Sequence, residues 1–186
     1  MHKALLTALL LACAGLPLQA GSEPQGPTGN AARLQRQMEM TDKPWTQLLS
    51  QNGIDLKPGE TYRLTFWAKA SQVMMLRVLA KIDQPPWTGL QEKKLELGPE
   101  WTQQEVFLQS DLAEPGHTRL EFRYGGTEAG DIWIADVELR PDADTSAPNM
   151  LPNGRFEDDL TNWYIEGLRP GAFAITVEPA KGGAAP

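Results

Sequence analysis

Between Gly59 and Ala70 the chain reads GETYRLTFWAKA, and strict alternation divides its side chains between two faces. Tyr62, Leu64, Phe66 and Ala68 share one face and can pack a core; Arg63, Thr65, Trp67 and Lys69 share the other. A tryptophan among polar groups on the solvated face of a sheet costs free energy unless something covers it. An indole face beside guanidinium and carboxylate groups suits a ligand with apolar C–H faces and a fringe of hydroxyls, the chemistry of a sugar ring. The polar register also carries Arg77, Glu121 and Arg123, while Trp87 stands on a loop after Pro85 and Pro86, and Trp45 at a strand end. The candidate ligand-binding residues are therefore Trp67, Trp87, Trp45, Arg63, Arg77, Glu121 and Arg123, with Trp45 equally placed for core or rim. Trp101 and Trp133 share parity with core residues and are expected to pack, as is Tyr124, in step with Phe122.

Catalysis has less to work with. Glycoside hydrolysis wants two carboxylates roughly 5 to 10 Å apart across a cleft, and no motif places such a pair. His117 is the only histidine after His2 and falls in a turn, so a histidine-based triad or a zinc site has little to work with. Gly125-Gly126 reads as a turn, not a phosphate-binding loop. The expectation is a protein that is not an enzyme, with no catalytic residues and no required cofactor.

The bulk properties agree. The chain has 186 residues, with 17 basic and 24 acidic side chains and a net charge of −7. Nucleic acid and anionic membrane surfaces are poor partners for such a chain. Met1-His2-Lys3 followed by the apolar run Ala4–Leu16, Pro17 and Leu18-Gln19-Ala20 has the layout of a secretory signal, too short for a permanent membrane anchor. Cleavage after Ala20 is the first expectation, giving a periplasmic or secreted protein; Leu10-Leu11-Ala12-Cys13 is the alternative, leaving Cys13 as a lipidated terminus. Cys13 is the only cysteine, so cleavage after Ala20 excludes disulfides and thiol chemistry.

The elements that must hold these residues read as short strands. The alternating segments are 32–40, 45–51, 62–70, 73–82, 92–97, 101–109, 118–124, 131–139 and 172–177, with turn residues between them. Asn52-Gly53 closes the second of them as a turn. Many short strands without a convincing helix after the signal predict an all-β fold, a two-sheet antiparallel β-sandwich. Residues 1–20 are the signal, 21–140 the main part of the sandwich, 141–148 (PDADTSAP) a linker by composition, and 149–186 a C-terminal segment. Fewer than forty residues cannot bury a core of their own, so that segment is expected to complete the same single domain.

The chain resembles the jelly-roll carbohydrate-binding modules of families four, nine and twenty-two. The likeness is carried by Pro44-Trp45-Thr46-Gln47-Leu48, Tyr62–Ala70, Trp101, Ile134-Ala135-Asp136-Val137-Glu138-Leu139 and the segment NMLPNGRFEDDLTNW, which begins at Asn149. Modules of this type open with that last segment, whereas here it lies at the C-terminus. A circular permutation explains the order, and a module followed by the truncated start of a second is the alternative. Permutation predicts that Asn149–Glu157 lies near Asp131–Leu139 and that the two chain ends are close. The resemblance implies an exported, non-catalytic domain that stacks an oligo- or polysaccharide on a sheet face. A structural or protein-interaction module of the cell envelope with the same fold is the second reading, and a small glycan-active hydrolase a third. It also implies a structural calcium near Glu157 and Asp136, weakened because Ala135 stands where the first aspartate of a pair is usual.

Overall fold

The computed structural model describes residues 26–36, 46–125, 129–167 and 173–180. The leader and Trp45 lie outside the described residues. Among the described residues ten strands are formed: β1 (Asn30–Arg36), β2 (Gln47–Ile54), β3 (Thr61–Ala70), β4 (Met74–Ile82), β5 (Gly89–Leu97), β6 (Thr102–Gln109), β7 (Thr118–Arg123), β8 (Gly130–Pro141), β9 (Tyr164–Gly167) and β10 (Phe173–Pro179). They pair antiparallel into two five-stranded sheets, ordered β10-β1-β8-β3-β6 and β5-β4-β7-β2-β9. Among the described residues no helix is long and apolar enough to cross a membrane.

Alternation places the core between the sheets, as in any two-layer sandwich. Tyr62, Leu64, Phe66 and Ala68 of β3 meet Leu76, Val78 and Ala80 of β4 and Leu120 and Phe122 of β7 in one continuous cluster. Leu151, Phe156 and Trp163 from the C-terminal segment belong to that same cluster. The Trp163 ring lies 5.3 Å from Phe156 and 6.1 Å from Phe122, and its Nε1 donates to the Asn153 carbonyl at 3.0 Å.

The segment Asn149–Glu157 is bound along β8. Val137 N donates to Gly154 O at 2.8 Å, and the Asn149 side chain both accepts from Leu139 N and donates to Val137 O, each at 2.9 Å. A Cβ on Gly154 would stand 2.0 Å from the Val137 carbonyl oxygen, so only glycine permits this approach. At the far edge, β10 pairs with β1 and Ala180 N donates to Gly29 O at 2.8 Å.

Three local features differ from the sequence reading. Asn52-Gly53 is not a closing turn: β2 runs on to Ile54 through a bulge, with Gly53 at φ 71°. Residues 141–148, linker-like in composition, form a hydrogen-bonded turn in which Asp144 accepts from both the Ser146 amide and hydroxyl. Those bonds hold the Asp144 carboxyl below its ordinary range. The short strand β9 has four exposed residues and no apolar alternation to announce it.

Candidate functional site

The register of the second sheet fixes which side chains stand together on its outer face. One row crosses the sheet as Glu92, Leu79, Glu121, Ser50 and Tyr164, and the next as Lys94, Arg77, Arg123, Leu48 and Glu166. On the other side of the first row, Lys81 pairs with Arg119. Leu48, Lys81, Trp87, Arg119, Glu121, Arg123 and Glu166 line an open cleft of about 470 Å³.

Glu121 is the hub of this floor. Its side chain is only 2% exposed, and three cations converge on it: Arg123 Nε at 2.5 Å, Arg119 Nε at 3.0 Å and Lys81 Nζ at 3.9 Å. A carboxylate so deeply buried is stable only when paired, and here one negative charge serves three positive ones. The Arg119 Nε–H is close to Glu121 but misaligned for a hydrogen bond, whereas its Nη2 donates to Glu166. Farther along the face Arg77 Nη1 lies 3.0 Å from Glu92 Oε1, an exposed pair.

Trp87 rims the cleft from the β4–β5 loop. It is 49% exposed and has φ 61°, a left-handed conformation that a bulky residue adopts only when its surroundings impose it. Its amide donates to Gln84 O at 2.8 Å, and Lys81 Nζ lies 5.3 Å from its ring centroid. The result is a half-exposed indole above a floor of fixed donors and acceptors. Such an arrangement can stack an apolar ring face and bind hydroxyl or carboxylate groups at the same time. Tyr164, 54% exposed, stands at the opposite edge of the same face.

The sequence-derived residues do not all meet here. Arg77, Glu121, Arg123 and Trp87 share this side of the sandwich, but Trp67 and Arg63 lie on the outer face of the other sheet. Arg63 is fully engaged: Nη2 and Nε reach Asp142 at 2.7 and 2.9 Å, Nη1 lies 3.6 Å from Glu105, and the guanidinium covers Phe107 at 5.3 Å. The hydrogen bond to Asp142 raises its pKa further.

Trp67 joins Trp101 and Trp133 around the buried residues Ala31, Ala135 and Ala180. Lys69 Nζ lies between the rings, 5.0 Å from Trp101 and 4.9 Å from Trp133, and Arg33 covers Trp133 at 5.4 Å. Trp133 Nε1 donates to Glu178 at 2.7 Å. Trp101 and Trp133 therefore lie half-buried on an outer face, where with Lys69, Glu178 and Pro179 they line an open cleft of about 310 Å³, and not in the core as their parity suggested. The cause in β8 is a bulge: Thr65 pairs with Glu138 and Trp67 with Ala135, so two β8 residues oppose Phe66, and Asp136 takes φ 48°. Ile132 and Ile134 point inward before the bulge, Val137 and Leu139 after it, and parity counted back from Leu139 turns Trp133 the wrong way.

The sequence reading missed Lys81, Arg119 and Glu166 as lining residues. The first two share alternation with Arg77 and Glu121 and were findable; Glu166 rides on β9, which carries no pattern. The two residues implied as calcium ligands lie on β8 and in the C-terminal segment. Asp136 Oδ1 lies 3.9 Å from Arg155 Nε, Glu157 is exposed, and among the described residues no three acidic or other ligating side chains converge. Calcium asks for about six to eight oxygens, so an ion held here would need backbone carbonyls beside these two side chains.

The fold is a two-sheet β-sandwich, and the family match assigns it to the carbohydrate-binding class. Residues 29–126, more than half the chain, match the family described as carbohydrate binding domain (CBM_4_9). The chain belongs to that family. No curated protein matches the sequence. Among solved structures, a CBM4 module is similar at 25% identity and TM-score 0.55, covering 60% of this chain and 71% of that one. The apo CBM of PbXyn10C is similar at 23% identity and TM-score 0.65 over 88% of this chain and 96% of its own. The second N-terminal cellulose-binding domain of Cellulomonas fimi β-1,4-glucanase C is similar at 24% identity and TM-score 0.54, covering 64% and 84%. The last two likenesses concern the fold.

Proposed function

We propose that the protein is an exported, non-catalytic domain that holds an oligo- or polysaccharide on the outer face of β5-β4-β7-β2-β9, stacked on Trp87. Membership of the family carries carbohydrate binding itself; the choice of face rests on one observation. Trp87 is half exposed in a left-handed conformation above the Glu121 cluster and rims the roomier cleft, whereas on the other face Lys69 and Arg33 already sit against the Trp101 and Trp133 rings beside a smaller cleft of about 310 Å³. Export rests on the leader pattern of residues 1–20.

Titration of the tryptophan fluorescence with soluble glucans, xylans, mannans and uronic-acid polymers tests the reading. Trp87→Ala is expected to weaken binding about three- to tenfold, the loss of one stacked aromatic; Trp67→Ala is expected to leave affinity unchanged. No response to any glycan, or sensitivity at Trp67 with none at Trp87, would sink it.

We also read the strand order as a circular permutation. It is supported by the bonding of Asn149–Glu157 along β8 and by Ala180 lying beside Gly29. A variant joining residue 180 to 29 and opened within 141–148 is expected to fold with the same glycan affinity. Failure of that variant to fold would favour a truncated second module.

A further inference from the structure

The charges in the cleft point to a narrower class of ligand. Its lining has three cations, Lys81, Arg119 and Arg123, and two carboxylates, Glu121 and Glu166. The balance is positive in a chain whose net charge is −7. The two carboxylates are not equivalent. Glu121 is 2% exposed and locked by its neighbours, whereas the Glu166 side chain is 50% exposed. Glu166 also belongs to β9, an edge strand bonded only to β2.

Arg119, with its side chain 10% exposed, therefore depends on a misaligned contact to Glu121 and on one half-exposed partner. Solvent screens the Glu166 end of this pair, so a carboxylate brought by a ligand can compete with it for Arg119. A guanidinium prefers a planar carboxylate presented to it in fixed geometry, and a rigid sugar ring presents one at less entropic cost than a glutamate chain.

Resting on the reading that this face is the glycan site, we propose that its ligand is an acidic glycan carrying uronic-acid carboxylates, and that Glu166 holds on Arg119 the place that a ligand carboxylate takes. Trp87 stacks the sugar ring, Lys81 and Arg123 bind its remaining oxygens, and Glu121 keeps the cations in register. Swinging Glu166 away leaves one carboxylate among three cations, a charge a neutral sugar does not offset.

Isothermal titration with oligogalacturonate and oligomannuronate, and with the same oligomers after reduction of their carboxyl groups to alcohols, tests this. At least one oligouronate is expected to bind, and its reduced form about tenfold or more weakly, as for the loss of a charge-assisted hydrogen bond. Glu166→Gln frees Arg119 and is expected to tighten oligouronate binding about threefold or more. Glu178→Gln, the same charge change on the opposite face, leaves it unchanged. Equal affinity for acid and reduced forms, or weaker oligouronate binding by Glu166→Gln, overturns the inference. Binding of neutral glycans alone also overturns it and leaves the Trp87 site standing; binding of no glycan removes both.

Discussion

Replacing Glu121 by glutamine removes the one negative charge that gathers three cations on the floor of the cleft. Arg123 Nε, Arg119 Nε and Lys81 Nζ lie 2.5, 3.0 and 3.9 Å from its carboxylate oxygens, and the side chain is 2% exposed. At an effective dielectric of about 20, these contacts are worth about 4 to 7 kcal/mol each before desolvation is counted. Breaking a buried ion cluster by removing one partner costs about 3 to 5 kcal/mol, because the remaining charges are left uncompensated. Glutamine keeps the volume, so no cavity adds to this, and about 3 kcal/mol is expected. For a domain of this size that lowers the melting temperature by about 6 to 12 °C. Urea unfolding followed by circular dichroism measures it. Glu92→Gln is the internal comparison: its pair with Arg77 joins side chains 35% and 31% exposed, and exposed pairs contribute about 0 to 1 kcal/mol. Adding Arg119→Gln to Glu121→Gln should restore part of the loss, since two cations repel less than three. A cost for Glu121→Gln below about 1 kcal/mol, or no larger than that of Glu92→Gln, would refute the account of Glu121 as the charge that holds the floor together.

Two further outcomes follow from the C-terminal segment. Gly154→Ala places a Cβ 2.0 Å from the Val137 carbonyl oxygen, and should destabilise the domain by about 3 kcal/mol or more by forcing the segment off β8; an unchanged urea midpoint would contradict that packing. We also expect the melting temperature to be the same with calcium or with a chelator, since Asp136 faces Arg155 and Glu157 is exposed. A rise of more than about 3 °C with calcium would show a site bound tightly enough to stabilise the native state.

Much of the sandwich was legible because its strands announce themselves by side-chain alternation. The inward residues of β3 and β4 could be named from period two alone, and the turn residues between runs of apolar sequence marked nearly every strand. What escaped was what alternation cannot carry. The bulge at Asp136–Val137 inverts parity halfway along β8, and nothing in WIADVEL declares it. Strand β9 is polar and short, held by its pairing with β2, and brings Glu166 to a cleft that no local pattern foretells.

Alternation of GETYRLTFWAKA determined that Trp67 points away from the core, and the composition determined that a sheet sandwich would be built beneath it. Which other residues share its face was decided by strand order, because residues of one parity are divided between two sheets whose outer faces look in opposite directions. Arg63 and Trp67 therefore belong with Trp101 and Trp133, and Arg77, Glu121 and Arg123 with Trp87. The physical reason is that hydrophobic alternation acts along a strand, over neighbours two residues apart. A binding face is assembled across strands, by pairings between residues as far apart in sequence as Leu48 and Glu166.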